Sequence, residues 1–168
     1  NYPGLTRLFN DLKVETLETQ MTFSVSADEG RFEWKGGGDR WLDTAKGLFA
    51  QPANLCDPTY LMMLRSVLRF NTQSVKDRRD AFLSGLSLGD YFILRGFPPR
   101  LLHVYLAPMG AAIWSTPTQK VLDFPAENFV AFFENHCLLQ YQRPKWRSVK
   151  GGSRCYVEKL TAPFRRTM

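Results

Sequence analysis

Tyr105-Leu-Ala-Pro-Met-Gly-Ala-Ala-Ile-Trp114-Ser-Thr-Pro117 carries no charge, is interrupted by Pro108 and closes on Pro117. A surface helix repeats a polar face about every 3.6 residues, and this stretch has none. It must therefore be buried in protein or line a pocket. Its small residues let another group approach the backbone closely, and Trp114 offers a broad flat wall. The stretch is thus the chain's best candidate for a ligand-facing element, with Pro108, Met109, Gly110 and Trp114 as substrate-binding candidates. Phe124, Phe129, Phe132 and Phe133 follow closely, in a chain that is 14% aromatic. Two readings stay open for this group: a hydrophobic core, or an apolar cavity for a hydrophobic ligand in which Phe124 and Phe129 join the lining.

Outward from this stretch the pattern is mainly helical. Pro98-Pro-Arg-Leu101 starts a helix that leads into it, and Pro125 to His136 forms an aromatic helix after it. Before it, Ser87 to Leu94 reads as a short helix ended near Gly96. Asp57-Pro58 is a good helix start, because Asp can cap and Pro suits the first turn. The helix it opens places Leu61, Leu64, Val67, Leu68 and Asn71 on one face, with Arg65 and Arg69 off it. Toward the amino terminus, Leu5, Leu8, Phe9 and Leu12 line a short amphipathic helix after Pro3. Met21 to Val25 and Phe32 to Trp34 alternate apolar and polar around Ala27-Asp-Glu-Gly30, which predicts a β-hairpin. Gly36 to Arg40 reads as a flexible loop. Trp146 to Val149 reads as a strand, followed by a Gly151-Gly152 turn, with Ser153 as a cap, and a last helix. The expected fold is α+β, mainly helical with a β-hairpin or small sheet, in a single domain over 1–168.

Composition excludes several function classes. The 168 residues suffice for a real core, and their net charge is +6. The basic residues are scattered along the sequence, with local groups only at Arg78-Arg79, Arg165-Arg166 and Lys145/Arg147/Lys150, so a nucleic-acid partner is not expected. Cys56, Cys137 and Cys155 are far apart, with no ligand spacing for zinc and no disulfide framework, so no metal is expected. That cysteine usage predicts a reducing, cytoplasmic setting. No apolar run reaches the roughly 20 residues that span a bilayer. Only His103 and His136 are available for histidine chemistry. His103 is expected to be a satisfied structural residue among Leu101, Leu102 and Val104, and His136 to meet the end of its helix. Nucleophile elbow, paired carboxylates and P-loop are all missing, so no catalytic residue is named. Gly151-Gly152-Ser153 lacks the glycine spacing of a dinucleotide fingerprint and reads as a tight turn.

The segments Asn1-Tyr-Pro-Gly-Leu-Thr-Arg-Leu-Phe-Asn-Asp-Leu, Met21-Thr-Phe-Ser-Val-Ser, Tyr105 to Ser115, Asp123-Phe-Pro-Ala, Asn135-His-Cys-Leu-Leu and Trp146-Arg-Ser-Val-Lys-Gly-Gly-Ser-Arg-Cys-Tyr-Val form an ordered series. Together they resemble the predicted NAD/FAD-binding proteins of the flavin-containing amine oxidase superfamily, which includes protoporphyrinogen oxidases and carotenoid desaturases. The resemblance covers nearly the whole chain. It implies the central, substrate-binding region of an FAD-dependent oxidoreductase that works by hydride transfer to the flavin. It implies that the FAD-binding βαβ unit lies outside this chain and that the fragment alone is inactive and does not hold FAD. Asn1 in place of Met and the open end at Met168 agree with a piece of something longer. The uncharged stretch through Trp114 would pass near the flavin and the substrate cavity, and its apolar lining suits a hydrophobic small molecule. Surfaces built to face the FAD domain would be apolar, so homodimerisation of the fragment is expected. The alternative is a non-catalytic helical module that binds a hydrophobic ligand or contacts a membrane surface peripherally.

Overall fold

A computed structural model describes residues 2–37, 41–140 and 145–164. It is mainly helical with two small antiparallel sheets, an α+β arrangement. The sequence reads as a single domain, whereas the contacts between residues gather into two compact units. The smaller unit takes Asn1–Met21 and Pro144–Met168, and the larger takes Thr22–Arg143.

In the smaller unit, α1 (Pro3–Asp11) starts on Pro3 as expected, and α9 (Arg154–Thr161) follows the Gly151-Gly152 turn. Between them in sequence come β1 (Thr16–Thr19) and β4 (Trp146–Val149), which pair antiparallel with Thr16 opposite Val149 and Thr19 opposite Trp146. β4 agrees with its pattern, while β1, too polar to show a buried face, is invisible in the sequence. Ser153 stands at the helix start but makes no side-chain cap. Its backbone is already helical, so its hydroxyl does not reach back to the first free N–H groups.

The larger unit holds the core. Its hairpin pairs β2 (Phe23–Ala27) with β3 (Phe32–Gly36) and buries Phe32 and Trp34. Gly36 ends β3, and residues 38–40 of the expected loop lie outside the described residues. α2 (Trp41–Leu48) was not legible in the pattern. It packs on β3 so closely that a Cβ on Gly47 would stand 2.5 Å from the Lys35 carbonyl oxygen.

α3 (Pro58–Arg79) starts as read: Asp57 Oδ1 accepts the backbone N–H groups of Thr59 and Tyr60 at 2.8 and 3.1 Å. Its buried face differs from the expected one. Tyr60, Met63, Ser66, Phe70, Ser74 and Asp77 are buried, whereas Leu61 and Leu68 are exposed. Both faces of this helix carry apolar residues, and the inward one is chosen by the rings that pack on it. Phe70 meets Tyr91, Phe92 and Phe97, and Tyr60 meets Phe32 and Phe49.

α4 (Leu88–Arg95) is capped by Ser87, whose Oγ accepts the Asp90 N–H at 3.0 Å, and ends at Gly96 in the left-handed region. α5 (Pro99–Leu101), a π turn (Leu102–Leu106) and α6 (Ala107–Trp114) run on as one helical path. α7 (Thr118–Val121) and α8 (Ala126–Asn135) complete the unit. α4 and α8 are tied at their starts by Leu88 N–H to Phe124 O, Gly89 N–H to Leu122 O and Ala126 N–H to Leu86 O, at 2.8 to 2.9 Å.

Candidate functional site

The uncharged stretch lies on the path from the π turn to the end of α6. Pro108 accounts for the π turn. Proline offers no N–H, and its ring crowds the carbonyl four residues back, here that of Val104. The ladder widens just before it, so that the Ala107 N–H reaches Leu102 O, a five-residue step.

The missing polar face has a structural cause. Tyr105 and Trp34 of the hairpin lie 5.4 Å apart, centroid to centroid, so the π turn is covered by β3. At the other end Trp114 meets Phe124 at 4.9 Å, Phe129 at 5.5 Å and Phe132 at 4.9 Å. Phe129 stacks on Phe133 at 4.3 Å. Met109 and Gly110 are buried, Pro108, Trp114 and Phe124 half-buried, and Phe129 fully buried. Gly110 is where the wall closes. A Cβ there would stand 2.9 Å from Val121 Cγ1, 3.1 Å from Phe129 Cε2 and 3.3 Å from Trp114 Cζ3. Gly110, Trp114, Phe124 and Phe129 are thus brought together in one cluster. Of the two readings left open, the described side chains fill the space between these rings as a packed core does. Trp114 and Phe124, both half-buried, form the part of the cluster that reaches the surface.

The two histidines separate. His103 is exposed on the outer side of the π turn and not enclosed by its leucine neighbours, because Leu101 and Leu102 turn inward without it. His136 ends α8 as expected and stacks on Phe132 at 4.0 Å.

The sequence reading missed a polar centre. Asp77, 1% exposed, accepts from Gln73 Nε2 and Tyr91 Oη, each at 2.8 Å. Arg95 grips it with Nε at 2.8 Å and with Nη2, while its guanidinium lies 3.7 Å from the Phe82 ring centre. Burial pushes the Asp77 carboxyl up, but the hydrogen bonds from Arg95, Gln73 and Tyr91 outweigh it, and the net shift is downward. Burial first, then the Asp77 carboxylate, push the Tyr91 hydroxyl well above the usual range. The signal was the four-residue spacing of Gln73 with Asp77 and of Tyr91 with Arg95, which places each pair on one helix face. All four groups are consumed by one another, so the centre locks α3 to α4 and does not present a reactive atom.

A second charged group sits at the start of α3. Arg100 donates to Asp57 Oδ2 at 2.8 Å and to Thr59, and lies 4.4 Å from the Phe32 ring centre. Asp57 is held at about 2, foremost by the Thr59 hydroxyl, against a desolvation that raises it. Cys56, Cys137 and Cys155 form no disulfide, and no group of His, Cys, Asp and Glu among the described residues could hold a metal.

The described residues form no βαβ unit of the dinucleotide-binding type. Dinucleotide sites need parallel strands joined by a helix, with a glycine-rich turn at the crossover. Both sheets here are antiparallel pairs, and the Gly151-Gly152 turn follows a strand paired only with β1. No chemical step is therefore assigned to these residues through a flavin. Comparison with protein-family models, with curated proteins and with solved structures finds no match to this chain.

Proposed function

We propose that this chain is the substrate-binding region of a flavin-dependent oxidoreductase of the amine oxidase type, acting on a hydrophobic substrate, with its cofactor held by residues outside the chain. The observation that carries this reading is the aromatic wall. Gly110 and Trp114 of α6 and, later in sequence, Phe124 and Phe129 converge on one side of α6. The ordered series of family-like segments and the mainly helical α+β fold support it.

In this reading the protein contributes position and dryness, while the cofactor supplies the redox chemistry. Trp114 and Phe124 offer a flat apolar face against which an unsaturated or polycyclic chain would lie, and Gly110 lets that face close on α7 and α8.

The test is anaerobic mixing of the full-length protein with a panel of unsaturated lipids, isoprenoids and small amines, read by bleaching of flavin absorbance. Bleaching by the apolar compounds is expected, with Trp114→Leu raising the concentration needed for half-maximal rate several-fold. A full-length protein that purifies without flavin sinks the proposal.

A further inference from the structure

Four of the 22 basic residues, Arg65, Arg69, Lys76 and Arg79, are gathered on one side of α3. At about 3.6 residues per turn, its exposed Leu61, Met62, Arg65, Leu68, Arg69, Lys76 and Arg79 fall within an arc of about 120°. Opposite that arc lie the buried Tyr60, Met63, Phe70 and Ser74. From Pro58 to Lys76 the helix contains no acidic residue. Asp77 points inward to Arg95, and Glu134 meets Arg78 and Arg79 only at the helix end. Arg69 Nη2 donates to Arg95 O at 2.6 Å, which brings the end of α4 beside this face. There Ile93 and Leu94 are 80% and 60% exposed, and Asp90 lies one turn earlier on α4.

We propose that this face, α3 with the end of α4, docks on an anionic lipid surface. The chemistry is specific to that partner. Exposed Leu61, Met62, Leu68, Ile93 and Leu94 would bury their ends at the boundary between headgroups and acyl chains. Arg65 and Lys76 would reach the phosphates around them, their apolar stems lying along the same boundary. A nucleic-acid face would need the cations without five large apolar side chains among them. A self-association face would be depleted in charge at its centre, where α3 places Arg65. No helix of the described residues is long and apolar enough to cross a membrane, so the contact is made in the plane of the surface. The proposal stands whether or not the chain serves a flavin enzyme.

Co-sedimentation of the full chain with vesicles tests it. Vesicles of phosphatidylcholine with phosphatidylglycerol should retain the chain, and vesicles of phosphatidylcholine alone should not. Arg65→Glu with Lys76→Glu should weaken retention at least tenfold, and Ile93→Ser with Leu94→Ser should weaken it similarly while leaving the circular dichroism unchanged. These positions are exposed, so the fold is preserved. No retention by anionic vesicles overturns the proposal, as does retention undiminished in the charge-reversed variant. It is equally overturned if the face proves to bind a single-stranded oligonucleotide in place of vesicles, or to form a dimer that Ile93→Ser with Leu94→Ser dissolves.

Discussion

Gly110 shows how one missing side chain sets the packing of a helix. A methyl there enters the space of Val121 and Phe129, neither of which can yield without moving α7 or α8. Overpacking of this kind costs about 1–3 kcal/mol. The better helix propensity of alanine returns about 1 kcal/mol. We expect Gly110→Ala to destabilise the larger unit by about 0–2 kcal/mol, read as a lowered denaturation midpoint with unchanged slope; a stabilised variant would refute the close packing. Asp77 sets the opposite case, a buried charge whose removal leaves another behind. Asp77→Asn strands Arg95, and breaking a buried pair costs about 3–5 kcal/mol. The Arg95 side chain is 29% exposed, so solvent softens the loss. We expect a loss of about 2–4 kcal/mol, and a smaller one for Asp77→Asn combined with Arg95→Met. Equal losses in single and double variants would show that the pair is not coupled.

At the scale of the element, α3 depends on its start. The Asp57 carboxylate caps two N–H groups and pairs with Arg100, so Asp57→Ala should cost about 1–2 kcal/mol. The pH dependence follows from the shift. The carboxyl falls from the ordinary 3.8 to about 2 in the folded chain, so its contribution is fully present above about 4 and is lost as pH falls toward 2. Acid unfolding of the parent and of Asp57→Ala should therefore converge below about pH 2; curves that stay parallel down to that pH would contradict the assignment. This start was legible in the sequence because Asp-Pro before an apolar period is a local signal. The same is true of Ser87 before α4, Gly96 after it, the hairpin and α8. The inward face of α3 was not legible. Leu61, Met62 and Leu68 are as apolar as Met63, and Ser66 and Ser74 are buried although polar. The aromatic wall was legible as a set of residues, while its filling by its own rings depends on α7 and α8 folding back onto α6, contacts that no local pattern encodes. β1 and the Asp77 centre depend likewise on partners distant in sequence.

For the whole molecule, the two units differ in what stabilises them. The larger buries Tyr60, Phe70, Tyr91, Phe129 and Phe133 almost completely. The smaller has no buried residue in α1 or α9, and its one sheet is a two-strand pair, marginal by itself in water. Its strands are bordered by exposed ion pairs: Lys150 with Glu15 at 2.7 Å, Lys145 with Glu18 at 3.0 Å, and Arg147 with Glu18 at 3.4 Å. Lys150, through its hydrogen bond, holds the Glu15 carboxyl below the usual range, and Glu15 raises Lys150 in return. Charges exposed in this way are screened as salt rises, because the Debye length falls from about 30 Å at 0.01 M to about 3 Å at 1 M. The Phe9–Tyr156 contact at 5.2 Å, the Lys159 hydrogen bond to Lys13 O at 2.6 Å and the Arg147 hydrogen bonds to Thr16 Oγ1 and O at 2.7 and 3.0 Å add to these pairs in the smaller unit. Its opening should therefore precede global unfolding and respond to salt, whereas the larger unit should not. Amide hydrogen exchange read by mass spectrometry gives the expected pattern directly. Segments 16–19 and 146–149 should exchange first, and faster at high salt, while α3 and α8 remain protected to the global limit. Exchange of all four segments at one common rate, unchanged by salt, would show that the smaller unit is as firmly built as the larger.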